Sequence, residues 1–329
     1  MQIFSKNKTN KPPKSFLESL GQMIFLLSVV FLIRTIGFGL YQVPTGSMET
    51  TMLVGERFFA DKFTYLFRAP QRGEIIAFND PLFNYSSNPL TYLFQQYVWG
   101  PSNWTKRVIG IPGDKIRGVI EDGKPVIYLN DVKLNEPYIN KYPLIDLWKV
   151  DPAIAQKNVE QEALKWISHG YLHSSQFNDF VATQLRYEYQ VRRSYDPSVS
   201  YEDQPFYRIT PDRIVYRDGK PILIEPFVAE TKPQCVRPPQ PGSKNYWNGT
   251  DDFYIELGKN QYWCMGDNRR GSQDCRYFGP IDGKYIHARI LFRIWSVDSN
   301  EDWWIVDLIK HPIDFWKRVR WNRFLQIVK

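Results

Sequence analysis

Lys106-Arg107-Val108-Ile109-Gly110-Ile111-Pro112-Gly113-Asp114 opens with two cations, runs through apolar residues and ends in a glycine–proline turn. Such a run reads as a strand stopped by a tight turn. Downstream, Val119 to Leu129 is broken only at Asp122-Gly123-Lys124-Pro125 and reads as a hairpin, with Asn130-Asp131 supplying the next turn. Upstream, Arg57 to Ala60 and Ile75-Ile76-Ala77-Phe78, the second behind Arg72-Gly73-Glu74, are further short strands. Later in the chain Tyr254-Ile255-Glu256-Leu257 and Gln261-Tyr262-Trp263-Cys264-Met265 flank Gly258-Lys259-Asn260 as another strand pair. Ile286 to Trp295 adds a strand carrying Arg289 and Arg293. Short strands joined by turns predict a mainly β, antiparallel domain.

The segment from 141 to 251 interrupts this pattern. Ile154 to Ile167 has helix-like composition, proline and tyrosine then recur, and Pro233 to Pro241 is a proline-rich connector. It reads as an inserted domain, so that 42–140 and 252–300 together make one β domain. The tail, 301–329, is aromatic and basic, as in Trp316-Lys317-Arg318-Val319-Arg320-Trp321. A terminal helix packed on its own domain is the expected arrangement, ahead of an interfacial membrane contact.

With 329 residues the chain can bury a full core. An aromatic share of 16%, with 11 Trp and 20 Tyr, favours strands, apolar grooves and membrane interfaces over coiled coil or disorder. The net charge of +7 is not gathered into a basic block beside a nucleic-acid motif, so lipid rather than nucleic acid is the expected partner. Cys235, Cys264 and Cys275 are too few for a disulfide scaffold and match no zinc spacing; neither a metal nor another cofactor is expected. Cys264 and Cys275 flank a glycine-containing turn and read as two reduced thiols, with a bond between them left open.

Phe16 to Ile33 carries only Glu18, near its start, as a charge, and Thr35 to Tyr41 extends the apolar character beyond Arg34. The stretch is long enough to span a bilayer, and 16–41 is read as one transmembrane anchor. No small-x-small site follows it, so the anchor is expected to stay. Lys6, Lys8, Lys11 and Lys14, in the basic segment 1–15, hold the N-terminus in the cytoplasm by the positive-inside bias. The chain from Tyr41 onward is then outside, with Arg34 snorkelling to the headgroups.

Just beyond the anchor stands Ser47, in Val43-Pro44-Thr45-Gly46-Ser47-Met48. A serine hydroxyl needs a base, and the usual one is histidine. His169, His173, His287 and His311 fall in no triad pattern. Lysine serves instead when burial in apolar surroundings strips its proton. Lys106 follows the aromatic run Tyr97 to Trp104 and precedes Val108-Ile109, which gives it such a setting. A third string, Gly266-Asp267-Asn268-Arg269-Arg270-Gly271-Ser272-Gln273-Asp274-Cys275-Arg276, supplies a polar, charged turn.

The three strings, in this order, resemble those of type I signal peptidases, the membrane-bound Ser/Lys proteases that remove signal peptides from exported proteins. The resemblance covers about 42 to 135 and 253 to 295, with spacing compatible with the family's large-insert members. It implies Ser47 as nucleophile, Lys106 as general base, and Ser272 as the hydroxyl that orients the lysine amine. It further implies an oxyanion site built from the Ser47 backbone N–H and the Thr45 hydroxyl, and structural ion pairs Arg107 with Asp267 and Arg276 with Asp274. Shallow apolar pockets near Val43 and Pro44 would accept the small side chains of the substrate. Three positions depart from the family pattern: Thr45 and Cys275 stand where serine is usual, and Thr50 where proline is common.

The expected partners are exported preproteins and membrane lipid, with stable protein partners left open. The expected location is the bacterial cytoplasmic membrane, with the catalytic domain in the periplasm, and organelle membranes are the alternative. Two other readings compete. A self-cleaving repressor-type Ser/Lys peptidase is opposed by the anchor and by the lack of a DNA-binding domain. An anchored envelope scaffold without peptidase activity would keep the strings only as fold elements.

Overall fold

The computed structural model describes residues 15–142, 144–148, 152–185, 190–194, 216–217, 220–221, 237–297 and 304–328. The lysines of the basic segment, Cys235 and much of 141–251 lie outside the described residues.

The apolar N-terminal stretch folds as α1 (Phe16–Leu32) and runs on through a wider turn at Ile33–Gly37. Glu18, the only charge near its start, closes a capping box: the Glu18 amide donates to Ser15 Oγ and the Ser15 amide to the Glu18 carboxylate. Phe16–Gly37 is 22 residues with a mean hydropathy of 2.1 and none of its span buried. At 1.5 Å per residue it reaches about 33 Å, the thickness of a hydrocarbon core. The anchor expected over 16–41 therefore ends sooner. Residues from Phe38 are captured as β1 (Phe38–Gln42) because they pair with β2 (Arg57–Asp61) in register from Phe38↔Asp61 to Gln42↔Arg57.

The chain continues through β3 (Ile75–Asn79), α2 (Pro89–Tyr97), β4 (Asn103–Gly110) and the strands β5 (Lys115–Glu121), β6 (Lys124–Leu129) and β7 (Val132–Lys133). Within 141–251 lie β8 (Leu144–Trp148), α3 (Pro152–Ser168), α4 (Phe177–Gln184), β9 (Gln190–Ser194), β10 (Tyr216–Arg217) and β11 (Lys220–Pro221). Then follow β12 (Phe253–Glu256), β13 (Gln261–Met265), α5 (Cys275–Phe278), β14 (Ile281–Asp282) and β15 (Ile286–Trp295). The tail forms α6 (Trp304–Lys310), α7 (Pro312–Lys317) and β16 (Gln326–Ile327).

Every described strand pairing is antiparallel. The large sheet runs β1-β2-β15-β3-β4-β13-β14, with β16 on β15; a smaller one runs β12-β5-β6-β7. All of β3 is buried, because Ile76 and Phe78 face one core and Ile75 and Ala77 another. The strand pair expected from Tyr254–Leu257 and Gln261–Met265 does not form: β12 pairs with β5 and β13 with β4, in different sheets. The reason lies at the crossing. Leu257 donates to Asp114 O and Gly113 to Leu257 O, so the 257–261 turn steps between sheets beside the 110–115 turn. Gly113 there has φ +90°, which glycine alone adopts without strain, and Asp114 ties the turn to Arg72, Asn130 and the Ile111 amide.

The tail is part of the β domain. Phe315 and Val319 are buried with Val297, and β16 pairs with Phe292 and Arg293 of β15. From the other side of the insertion, Arg237 and Trp247 also reach the body: the Arg237 amide donates to Tyr277 O, and Trp247 packs edge-on against Trp263. Cys264 and Cys275 are free and buried, the Cys264 amide lying 3.1 Å from Cys275 Sγ.

The start of β1, the end of β2, the start of β15, the end of β3 and the start of β4 fall at one end of the large sheet. The apolar helix α1 therefore leaves from the same end as two exposed apolar segments. These are Phe63, Leu66 and Phe67 after β2, and Leu90, Leu93 and Phe94 on α2.

Candidate active site

Ser47 sits in a single helical turn, Gly46–Met48, between β1 and β2. Met48 and Met52 bury their side chains among Phe58, Ala60 and Ile75, which roots the turn in the core and leaves Ser47 partly exposed. Lys106 lies on β4 opposite Ile76 of β3, a buried strand, and is itself 5% exposed. Its Nζ donates to Ser47 Oγ at 2.9 Å and stands 5.6 Å from the centre of the Trp104 ring. Burial disfavours its ammonium form. The Asp274 charge pulls the other way and the Arg276 charge reinforces burial, leaving the lysine pKa at about 8.

A lysine that loses its proton near neutrality, within hydrogen-bond reach of a serine hydroxyl, has the geometry of a general base and its nucleophile. Thr45 is exposed, and its Oγ1 lies 3.5 Å from Ser47 Oγ. Among the described residues Lys106 and Thr45 are the hydrogen-bond partners of Ser47 Oγ. The histidines are elsewhere: His287 meets the Tyr41 hydroxyl at 3.0 Å, and His169 meets Lys165 O at the end of α3. Among the described residues no acidic, histidine or cysteine cluster could hold a metal ion.

The charged turn 266–276 clasps the serine turn. The Asn268 amide donates to Ser47 O at 3.1 Å and its side chain to Gly46 O at 2.9 Å. Asp267 is gripped by both Nε and Nη2 of Arg107, at 2.8 and 2.7 Å, and accepts from Thr51 Oγ1 at 2.5 Å. Arg107 also donates to Gly73 O and stacks on Tyr138. Asp274, fully buried, takes two bonds from the Arg276 guanidinium and one from the Gly266 amide. Burial alone would raise the Asp274 pKa, but the charge and hydrogen bonds of Arg276 outweigh it and hold the carboxyl below its ordinary value. Arg276 spans further, to Asp251 and to Arg269 O, and Arg269 pairs with Glu136. Gly266 has no room for a side chain: a Cβ there would stand 2.3 Å from Ser272 Oγ and 2.4 Å from Ser47 O.

Val43 is 8% exposed and packed among Met48, Met52 and Phe58; its amide donates to Glu56 O and its carbonyl accepts from the Gly55 amide. Its position on the run into the buried turn puts its side chain inward, while Pro44 is exposed. Among the described residues Ser272 Oγ, buried against Gly266, has no hydrogen-bond partner, so the bond to the lysine amine that the resemblance implies is not formed in this structure. The clasping residues Asn268, Thr51 and Glu136 escape sequence reasoning. Asn268 lies inside the quoted string, but nothing in the string says which backbone it holds.

The chain matches the family model "Signal peptidase, peptidase S26" over residues 16–173 and 208–295. Among curated proteins it is similar to Signal peptidase I of Rickettsia massiliae, 25% identical over 350 residues, covering 98% of this chain and 96% of that one. Signal peptidase I of Buchnera aphidicola is also 25% identical, covering 91% and 80%. A solved signal peptidase I from Enterococcus faecalis shares 16% identity, covering 68% of this chain and 97% of that one, at a TM-score of 0.25.

Proposed function

The chain belongs to the signal peptidase family, peptidase S26, and from that premise we propose that it removes signal peptides from exported preproteins with a Ser47–Lys106 dyad. The observation that carries this reading is the buried Lys106 amine 2.9 Å from Ser47 Oγ. In the reaction the neutral amine takes the hydroxyl proton as Oγ attacks the scissile carbonyl. The oxyanion is held by the Ser47 N–H and the Thr45 hydroxyl, donors of a kind worth about 3 kcal/mol each. Lys106 returns the proton to the leaving amine, and the signal peptide stays as an ester on Ser47. Water, deprotonated by the same amine, then hydrolyses the ester.

Location supports the same reading. A signal peptide has an apolar segment of about 7–15 residues ahead of its cleavage site, so its scissile bond emerges close to the membrane surface. The nucleophile follows the anchor by one strand, and the exposed apolar side chains of α2 and of 63–67 share the anchor's end of the sheet. The proposed setting is a bacterial cytoplasmic membrane with the N-terminus inside, the catalytic domain outside, and lipid against these segments. Backbone hydrogen bonding of an extended substrate beside Pro44 and Thr45 completes the proposal.

Lys106→Arg tests it. Arginine keeps its proton, so the variant is expected to lose cleavage while remaining folded; undiminished cleavage would reject Lys106 as the base.

A further inference from the structure

Glu56 is wholly buried, one strand-start beyond the nucleophile turn, and its carboxylate is filled from two distant parts of the chain. Oε1 accepts from Arg323 Nε at 2.6 Å and Ser296 Oγ at 2.8 Å. Oε2 accepts from the Leu53 amide at 2.8 Å and Arg323 Nη2 at 3.3 Å, and Arg293 Nε lies 2.9 Å away, off the line of a hydrogen bond. The same two arginines then continue to the backbone behind Ser47. Arg293 Nη2 donates to Thr51 O at 2.8 Å, and Arg323 Nη2 reaches Thr51 O at 3.2 Å and Thr50 O at 3.4 Å. Arg293 is in turn steadied by Gln326 of β16 at 2.8 Å. From Thr51 the contacts run on to the site: its hydroxyl donates to Asp267, and the neighbouring Asn268 amide holds Ser47 O.

We infer that the C-terminal segment is a strap that positions the nucleophile turn, with Arg323 and Arg293 as positioning residues acting through Thr51. The inference rests on the reading of Ser47 as nucleophile. Its physical basis is the shape of the guanidinium. A planar fork bonds a carboxylate and two carbonyls at once, which a lysine ammonium, a single point of charge, does not reproduce. Without the Arg323 fork the ion pair with Glu56 survives, while the Thr50 carbonyl loses its Arg323 bond and the Thr51 carbonyl keeps only the one from Arg293. The turn is then free to drift from Lys106 by a distance that general experience places among costly misplacements.

The test uses the full chain in lipid, with Ser47→Ala, Arg323→Lys, Thr51→Val and the Arg323→Lys/Thr51→Val pair. Measured are kcat and KM on a preprotein, the acylation rate of Ser47 by a small serine-reactive probe, and Tm. The expected result is a folded Arg323→Lys protein with kcat lowered about tenfold, KM within about twofold, and probe acylation slowed by the same factor as kcat. Thr51→Val cuts the same chain of contacts from the other side, so it shows the same selective loss, and the double variant loses little more than either single one. Should Arg323→Lys fail to fold, Thr51→Val decides alone. Both variants within twofold of the parent in kcat, with Ser47→Ala inactive, would overturn the strap and leave the protease reading standing. Full activity of Ser47→Ala would overturn the nucleophile assignment and the strap with it.

Discussion

Asn268 holds Ser47 by its carbonyl, through a backbone amide 3.1 Å away, and doubles the grip with a side-chain bond to Gly46 O at 2.9 Å. The turn that carries Ser47 is thereby held by a turn more than two hundred residues downstream. Asn268→Ala removes the side-chain bond to Gly46 O and leaves the backbone amide in place. It is expected to lower kcat about tenfold with little change in KM, because the hydroxyl loses alignment while substrate contacts remain. Steady-state kinetics on a preprotein check this, and an unchanged kcat would leave Asn268 a loop residue only.

The pH dependence follows from the lysine. Acylation needs the neutral amine, so the rate is expected to rise with pH and level off above about 8, where burial has placed the Lys106 pKa, instead of rising toward the ordinary 10.5. Asp274 raises that pKa and Arg276 lowers it. A folded Asp274→Asn protein should therefore show its rising limb at lower pH than the parent. A limb at the ordinary lysine value in the parent would contradict the buried-amine account.

Acid stability should depend on the Asp274–Arg276 pair. The folded-state pKa of Asp274 lies below its unfolded value, so the unfolded chain binds the proton more tightly. The stabilisation is present above about pH 4 and is lost as pH falls through the folded value. Arg276→Met leaves Asp274 buried without its counter-charge and is expected to cost about 3–5 kcal/mol at neutral pH. Urea unfolding of the parent and the variant at neutral and acid pH measures both effects. The variant's penalty should shrink in acid, where Asp274 accepts a proton.

Ser272 offers a sharper choice. Its buried hydroxyl has no hydrogen-bond partner, and an unmet buried hydroxyl costs about 1–3 kcal/mol. If it turns to the lysine amine during reaction, Ser272→Ala lowers kcat with KM unchanged and leaves Tm equal or higher. Equal activity in the two proteins would confine Ser272 to packing against Gly266.

The strands were legible because their apolar runs are short and their turns carry glycine, proline or Asn-Asp, so β5 and β6 meet where the broken hairpin predicts. That Lys106 would lie beside Ser47 was legible because a serine after an apolar helix and a lysine after an aromatic run are local signals. What failed was long-range. The stretch Gly258-Lys259-Asn260 reads as a hairpin turn, yet Leu257 bonds to Asp114 across the sheets, and no local pattern encodes that partner. Anchor length was overread because Phe38 to Tyr41 are apolar for a strand's reasons as much as a membrane's. Glu56 carries no motif, and its role depends on Arg293 of β15 and Arg323 of the tail, which only the folded chain brings near.

Whether Ser47 cuts preproteins is read most directly from cleavage of a purified preprotein in lipid by the intact chain and by Ser47→Ala, with the product N-terminus read by mass spectrometry. The account predicts a single cut after a small-x-small site, present in the parent and absent in the variant. Cleavage by both proteins, or by neither while both are folded, would contradict it.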